Sequence, residues 1–163
     1  MRLNPGTGWR SFMAAVRAIA ADLPPFDLPP LVVADIFGFL ALRETEPCRP
    51  LQALADACVE RVDTFRDPPT EEELVRRRRA NLSPEQDALL VRWGYPYVFG
   101  SWFFHMTLTR RLSGPEKTAV LPAAESWFAP ALAVPRRIED ICVFTQAAPG
   151  AAFTLAERVR LGG

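Results

Sequence analysis

The chain has 163 residues and a mass of 18.2 kDa, with 49% apolar and 23% charged residues, enough for one sizeable core and too apolar for a disordered chain. Nineteen Lys and Arg balance nineteen Asp and Glu, so no net field draws nucleic acid or an anionic membrane, and no run of about 18 apolar residues exists to span one. Cys48, Cys58 and Cys142 are too few and too scattered for a disulfide framework or a zinc site, and no signal-peptide core precedes them; the expectation is a cytoplasmic protein with no metal and no cofactor.

Residues 7–21 set Trp9, Phe12, Met13, Val16, Ile19 and Ala20 at helical spacing, and Pro24-Pro25 stop that helix. After Pro29-Pro30 come two apolar runs of strand character, residues 31–36 and 37–42. Residues 51–62 read as a helix with Leu51, Leu54, Ala55, Cys58 and Val59 on one face. Thr70 and Glu73 have capping-box spacing, and Glu72 and Glu73 stand four residues before Arg76 and Arg77, the charge order that helices favour. Ser83-Pro84-Glu85-Gln86 opens another helix, which ends at Gly94. Residues 102–112 then read as a strand, and Ser113 with Glu116 caps a helix reaching to about residue 132, interrupted at Pro122. Residues 137–146 and 152–161 read as strands around a Pro149-Gly150 turn. Strands and helices in this mixed order make an α+β protein.

The last third runs strand, helix, strand, strand; the opening runs helix, strand, strand. The two match where the first has lost a leading strand, and each helix ends in a proline-bearing loop, at Pro24-Pro25 and Pro29-Pro30 or at Pro130 and Pro135. The expected organisation is therefore two pseudo-symmetric lobes of antiparallel sheet with flanking helices: residues 1–62 as the remainder of the first lobe, 63–100 as a helical insertion and linker, and 101–163 as the second lobe. The plainer alternative is a helix that simply opens the fold. A lobe short of a strand exposes an edge, which favours aggregation or a homo-oligomer.

In Phe103-Phe104-His105-Met106-Thr107-Leu108-Thr109-Arg110, alternation sets Phe104, Met106 and Leu108 on one face, expected to be buried, and His105, Thr107 and Thr109 on the other. His105 is the only histidine. An imidazole moves a proton near neutral pH, and a threonine hydroxyl donates to a phosphoryl oxygen without a metal, so this face suits a phosphoryl group. An ordinary solvent-facing strand carries the same pattern, since Thr has high β-propensity. Arg111 shares the face of His105 and is a better phosphate contact than Arg110, which points the other way. Tyr95 and Tyr97, just before the strand, either border the cleft against substrate or serve as packing residues. Arg66 is a further loop cation. Arg76-Arg77-Arg78-Arg79 spreads around a helix behind the offsetting Glu71 to Glu73, and reads as a solvated face. Cys142, in an apolar run, is expected to be inert core. The sequence has neither a P-loop nor a Gly-rich dinucleotide fingerprint.

His105-Met106-Thr107-Leu108 resembles the His-x-Thr-φ motif of the two-histidine (2H) phosphoesterase superfamily. Arg92-Trp93-Gly94-Tyr95-Pro96-Tyr97-Val98, with Phe104-His105-Met106-Thr107-Leu108-Thr109-Arg110-Arg111-Leu112, is similar to one branch of it, an uncharacterised family often encoded in phosphonate-utilisation operons. Phe39-Leu40-Ala41-Leu42, Phe65-Arg66-Asp67-Pro68-Pro69 and Glu73-Leu74-Val75-Arg76-Arg77-Arg78 resemble the same pattern, so the likeness covers nearly the whole chain. It implies two such motifs facing each other across a cleft. One histidine takes a proton from water or an attacking hydroxyl, the other protonates the leaving oxygen, and the paired hydroxyls hold a small phosphodiester, often a 2′,3′-cyclic phosphate, without a metal.

By this resemblance His105 is a general acid or base and Thr107 the phosphoryl-oxygen donor. The chain departs from the pattern in having one motif only, and the strand missing from the element order is the one that would carry the first histidine. Three explanations fit: a fragment or an internal start, a degenerate homologue that binds a phosphorylated ligand without turning it over, or a homodimer that pairs two copies of His105. The expected function is a metal-independent phosphoesterase acting on a small, linear or cyclic, phosphodiester, with no strong nucleic-acid signal and no membrane partner. The alternative is a non-catalytic domain that binds a small phosphorylated molecule.

Overall fold

The computed structural model describes residues 2–148 and 150–162; Pro149 of the expected turn lies outside them. The elements run α1 (Trp9–Asp22), β1 (Phe26–Asp27), β2 (Leu31–Ile36), β3 (Phe39–Glu44), α2 (Arg49–Glu60), α3 (Glu71–Arg78), α4 (Pro84–Trp93), β4 (Met106–Thr107), α5 (Gly114–Leu132), β5 (Arg137–Ile138), β6 (Asp140–Gln146) and β7 (Phe153–Arg160). This is the mixed α+β class, with small antiparallel sheets and no barrel. Among the described residues no helix is long and apolar enough to cross a membrane. The chain divides into two compact units. The first takes the chain up to Pro25, Gln52–Trp102 and everything from Glu139; the second takes Phe26–Leu51 and Phe103–Ile138.

In the first unit α1 lies against the β6–β7 hairpin. Its apolar stripe, Phe12, Met13, Val16, Ile19 and Ala20, is buried, as the helical period requires. Arg17 on α1 bonds Glu157 on β7 at 2.6 Å, and Gly162 donates its N–H to the Ala20 carbonyl. In β6, Ile141 and Val143 are half-buried, whereas Cys142 between them is exposed. The expectation that Cys142 is core is therefore wrong: the two-residue period of a half-covered strand turns it outward. Helices α3 and α4 begin with the capping boxes that Thr70/Glu73 and Ser83/Gln86 announce, and Arg78 clamps Asp87 with two bonds between them. Helix α4 ends at Gly94 with φ +73, a left-handed cap suited to glycine.

In the second unit β2 and β3 pair from Leu31↔Glu44 to Ile36↔Phe39. Their two-residue turn has positive φ at both positions, Phe37 at 50 and Gly38 at 99, the geometry that matches strand twist. β4 joins the other side of β3, and β1 pairs with β5. Helix α5 packs on β2, and Lys117 on the helix bonds Asp35 on the strand. That bond, with the Gly38 N–H second, holds the Asp35 carboxyl below its ordinary pKa. Pleat alternation then puts Val33, Asp35, Leu40, Leu42 and Met106 on the sheet face towards α5, and Phe39, Ala41, Arg43 and Thr107 on the opposite face.

Candidate functional site

The expected strand over residues 102–112 shrinks to Met106–Thr107, which pair with Leu42 and Ala41 of β3. The cause is local. The N–H groups of Leu108 and Thr109 both reach the Leu40 carbonyl, at 2.8 and 3.3 Å, and the Thr109 hydroxyl accepts from the Leu40 N–H at 3.0 Å. A side chain thus stands in for the next rung of the ladder, and the chain turns off. The expected apolar face fares likewise: Phe104 and Leu108 are half-buried, and Met106 is 41% exposed, because two residues of strand do not extend the pleat far enough to cover them.

His105 directly precedes β4 and is exposed, with its ring 5.0 Å from that of Phe103 and 6.0 Å from that of Phe39. Its Nδ1 lies 3.2 Å from the Phe103 carbonyl. A carbonyl only accepts, so this bond assigns the neutral ring's proton to Nδ1 and leaves the Nε2 lone pair outward. Thr107, two residues on and exposed, sits opposite the fully buried Ala41. Among the described residues its hydroxyl makes no hydrogen bond, so it is at liberty to donate.

The sequence reading missed Arg43. It lies on the same sheet face, two residues beyond Ala41, with its guanidinium 5.6 Å from the Phe103 ring. It is exposed and has no carboxylate partner among the described residues. The available signal was a lone cation closing the apolar run of β3. Imidazole, hydroxyl and guanidinium are thus gathered around β4 and the end of β3. They can move a proton, donate to an anionic oxygen and balance its charge.

The other candidates are engaged elsewhere. The Thr109 hydroxyl, besides accepting from Leu40, donates to the Arg110 carbonyl at 2.8 Å. Arg111 donates to the Phe37 carbonyl at 2.5 Å, bracing the β2–β3 turn. Arg110 bonds Glu116 at 2.6 Å; that bond, then the Ser113 N–H and hydroxyl, holds the Glu116 carboxyl down at about 2. Tyr95 and Tyr97 belong to the first unit, their rings 5.6 Å apart and edge-on. They line cavities there together with Arg76 and Arg77, so the structure sorts the six candidates into a His105 group and a tyrosine group.

A family model described as a protein of unknown function, DUF1045, matches residues 1–154, and the chain belongs to that family. The chain is similar to two curated proteins: one named ribose 1,5-bisphosphate phosphokinase PhnN from Janthinobacterium sp. (strain Marseille), 39% identical over 158 residues, and one of the same name from Laribacter hongkongensis (strain HLHK9), 32% identical over 159. These matches cover 94% and 98% of this chain but 33% and 36% of the relatives, so the chain spans about a third of their length. No solved structure matches the chain.

Proposed function

We propose that this chain is the phosphoester-handling portion of a metal-independent phosphoesterase of the 2H type, acting on a small, linear or cyclic, phosphodiester. The observation that carries the reading is the His105–Thr107 pair: a ring oriented through Nδ1, its Nε2 outward, and an unengaged hydroxyl two residues along. In the reaction Nε2 takes the proton of the attacking oxygen or, protonated, returns one to the leaving oxygen. The Thr107 hydroxyl donates to a non-bridging oxygen, and Arg43 offsets the charge gathering there. Arg43 takes the part first given to Arg111, whose guanidinium is occupied.

A full cycle needs a second proton-transfer group, which the 2H reading assigns to another histidine lying outside these 163 residues. The same reading expects two pseudo-symmetric lobes over residues 1–62 and 101–163, stretches that the two compact units interleave. The relatives' name speaks of a kinase for a doubly phosphorylated sugar; this chain, matching a third of them and lacking a P-loop, is assigned the handling of a phosphorylated sugar or its diester and not the phosphoryl transfer from a nucleotide. The resemblance to phosphonate-operon proteins puts that chemistry in phosphonate use.

The test is hydrolysis of bis(p-nitrophenyl) phosphate and of a 2′,3′-cyclic nucleotide by the full-length protein. His105→Ala should cut the rate by about 10²–10⁴-fold and Thr107→Val by less, both with unchanged melting. A folded His105→Ala protein that hydrolyses either substrate at the parent rate sinks the assignment.

A further inference from the structure

Two charged features of the first unit take no part in the His105 site: the arginine run of α3, and Arg66. They meet at a cavity of about 650 Å³, whose lining includes Arg2, Arg66, Arg76, Arg77 and Tyr95. A neighbouring cavity of about 430 Å³ shares Arg76 and Arg77 and adds Tyr97. Every lining residue belongs to the first unit.

The charges do not cancel. The cavity's two carboxylates, Asp67 and Glu73, both face Arg2, at 3.5 and 3.0 Å, and Glu73 also caps α3 through the Thr70 N–H. Arg66 is three-way divided: Nε bonds Asp63 at 2.7 Å, Nη2 bonds the Arg92 carbonyl at 3.1 Å, and Nη1 is buried with no hydrogen-bond partner. A buried guanidinium N–H without an acceptor is unfavourable unless something supplies one. Neither Arg76 nor Arg77 makes a hydrogen-bonded ion pair among the described residues, although the charge of Arg76 helps hold the Glu73 carboxyl below its ordinary pKa, after the Thr70 N–H and Arg2; Arg77 stacks on the Tyr95 ring at 4.7 Å, which fixes the plane of its fork. Of the four consecutive arginines, Arg78 is spent on Asp87 and Arg79 lines neither cavity. Two guanidiniums without a hydrogen-bonded carboxylate therefore line a single space, with the buried Nη1 of Arg66 packed against Gly94 behind it, in a chain whose overall charge is zero.

We propose that this space is a binding site for a small phosphorylated molecule, with the forks of Arg76 and Arg77 holding a phosphate dianion, Arg66 adding positive charge to the wall, and Tyr95 and Tyr97 flanking the body attached to it. Two forks match a tetrahedral dianion in charge and in geometry, and the room exceeds what a bare phosphate fills. The proposal does not depend on the His105 reading, because none of its residues is shared with that site. Gly94 belongs to the construction: a Cβ there would stand 3.0 Å from Arg66 Nη1, so the bare backbone leaves the guanidinium its place.

The experiment is calorimetric titration of the full chain at low ionic strength with inorganic phosphate, pyrophosphate and glycerol phosphate. We expect one saturable site per chain, glycerol phosphate or pyrophosphate bound more tightly than phosphate, and a loss of tenfold or more in Arg76→Gln and in Arg77→Gln. Arg79→Gln should change affinity by less than twofold. Both helix-surface variants should melt as the parent does. Absence of saturable binding, or equal weakening by Arg79→Gln, would overturn the proposal, the latter because it would mean diffuse attraction to a basic helix.

Discussion

The sheet under α5 has three strands and the sheet under α1 has two. In the first of these, β3 is paired on both sides, and Leu40, Ala41 and Leu42 are buried to within a few per cent. In the other, β7 pairs only with β6 among the described strands, and it exposes Phe153 to 68% and Leu155 to 45%. The third strand, two residues long, adds little pairing, yet it brings His105 and Thr107 to the edge of β3. The difference teaches that a strand too short to add much pairing can still set the position of two exposed polar side chains. In each unit a helix lies on a hairpin, and in one of them an added strand carries the candidate site. Under the two-lobed reading β7 is the counterpart of β3, and its free side is where a second such strand would lie.

Stability measurements sharpen this contrast. Leu40→Ala, at a fully buried position in β3, should cost about 2–5 kcal/mol, seen as a large fall in the denaturant midpoint. Thr109→Val leaves the Leu40 N–H without its side-chain acceptor and should cost about 1–3 kcal/mol; hydrogen exchange at the Leu40 amide should rise with it. Ser113→Ala removes the cap of α5 for about 1 kcal/mol. On the β7 side, Leu155→Ala should fall within about 0.5 kcal/mol. A loss at Leu155 comparable to that at Leu40 would break the comparison, since it would require β7 to be covered in solution.

The pH dependence follows from Glu116. Its carboxyl is held down at about 2, against an ordinary 4.5, by Arg110 and then by the Ser113 cap. A depressed pKa means that this contribution is fully present above 4.5 and is lost as pH falls from there through about 2. Acid titration of stability should therefore flatten in Glu116→Gln over that window, and an unchanged slope would remove Glu116 from the acid response.

The helices were legible because their signals are local. Thr70/Glu73, Ser83/Gln86 and Ser113/Glu116 each form the box their spacing announces. The β2–β3 hairpin was legible for the same reason, though Phe37-Gly38 belongs to its turn and not to its second strand. The site strand was overread. Alternation through residues 102–112 says nothing of how much partner exists to pair with, and β3 begins only at Phe39. Arg43 offered only the signal of a lone cation closing β3, and Arg66 and the α3 arginines stood out as cations without a site, because their settings arise from tertiary neighbours: the Phe103 ring for one, the Tyr95 ring and Gly94 for the others.

Helix α5 carries Pro122 and Pro130 within its nineteen residues. Neither has an N–H, so the carbonyls of Thr118 and Ser126 lose their helical donors and the ladder is broken twice. Such a segment does not persist as a helix by itself; its shape is borrowed from the sheet on which it lies. The β2–β3 hairpin, closed by a two-residue turn, has the shorter loop to form. Loop closure therefore favours the β2–β3 hairpin forming ahead of α5, which needs that sheet as the surface to condense onto.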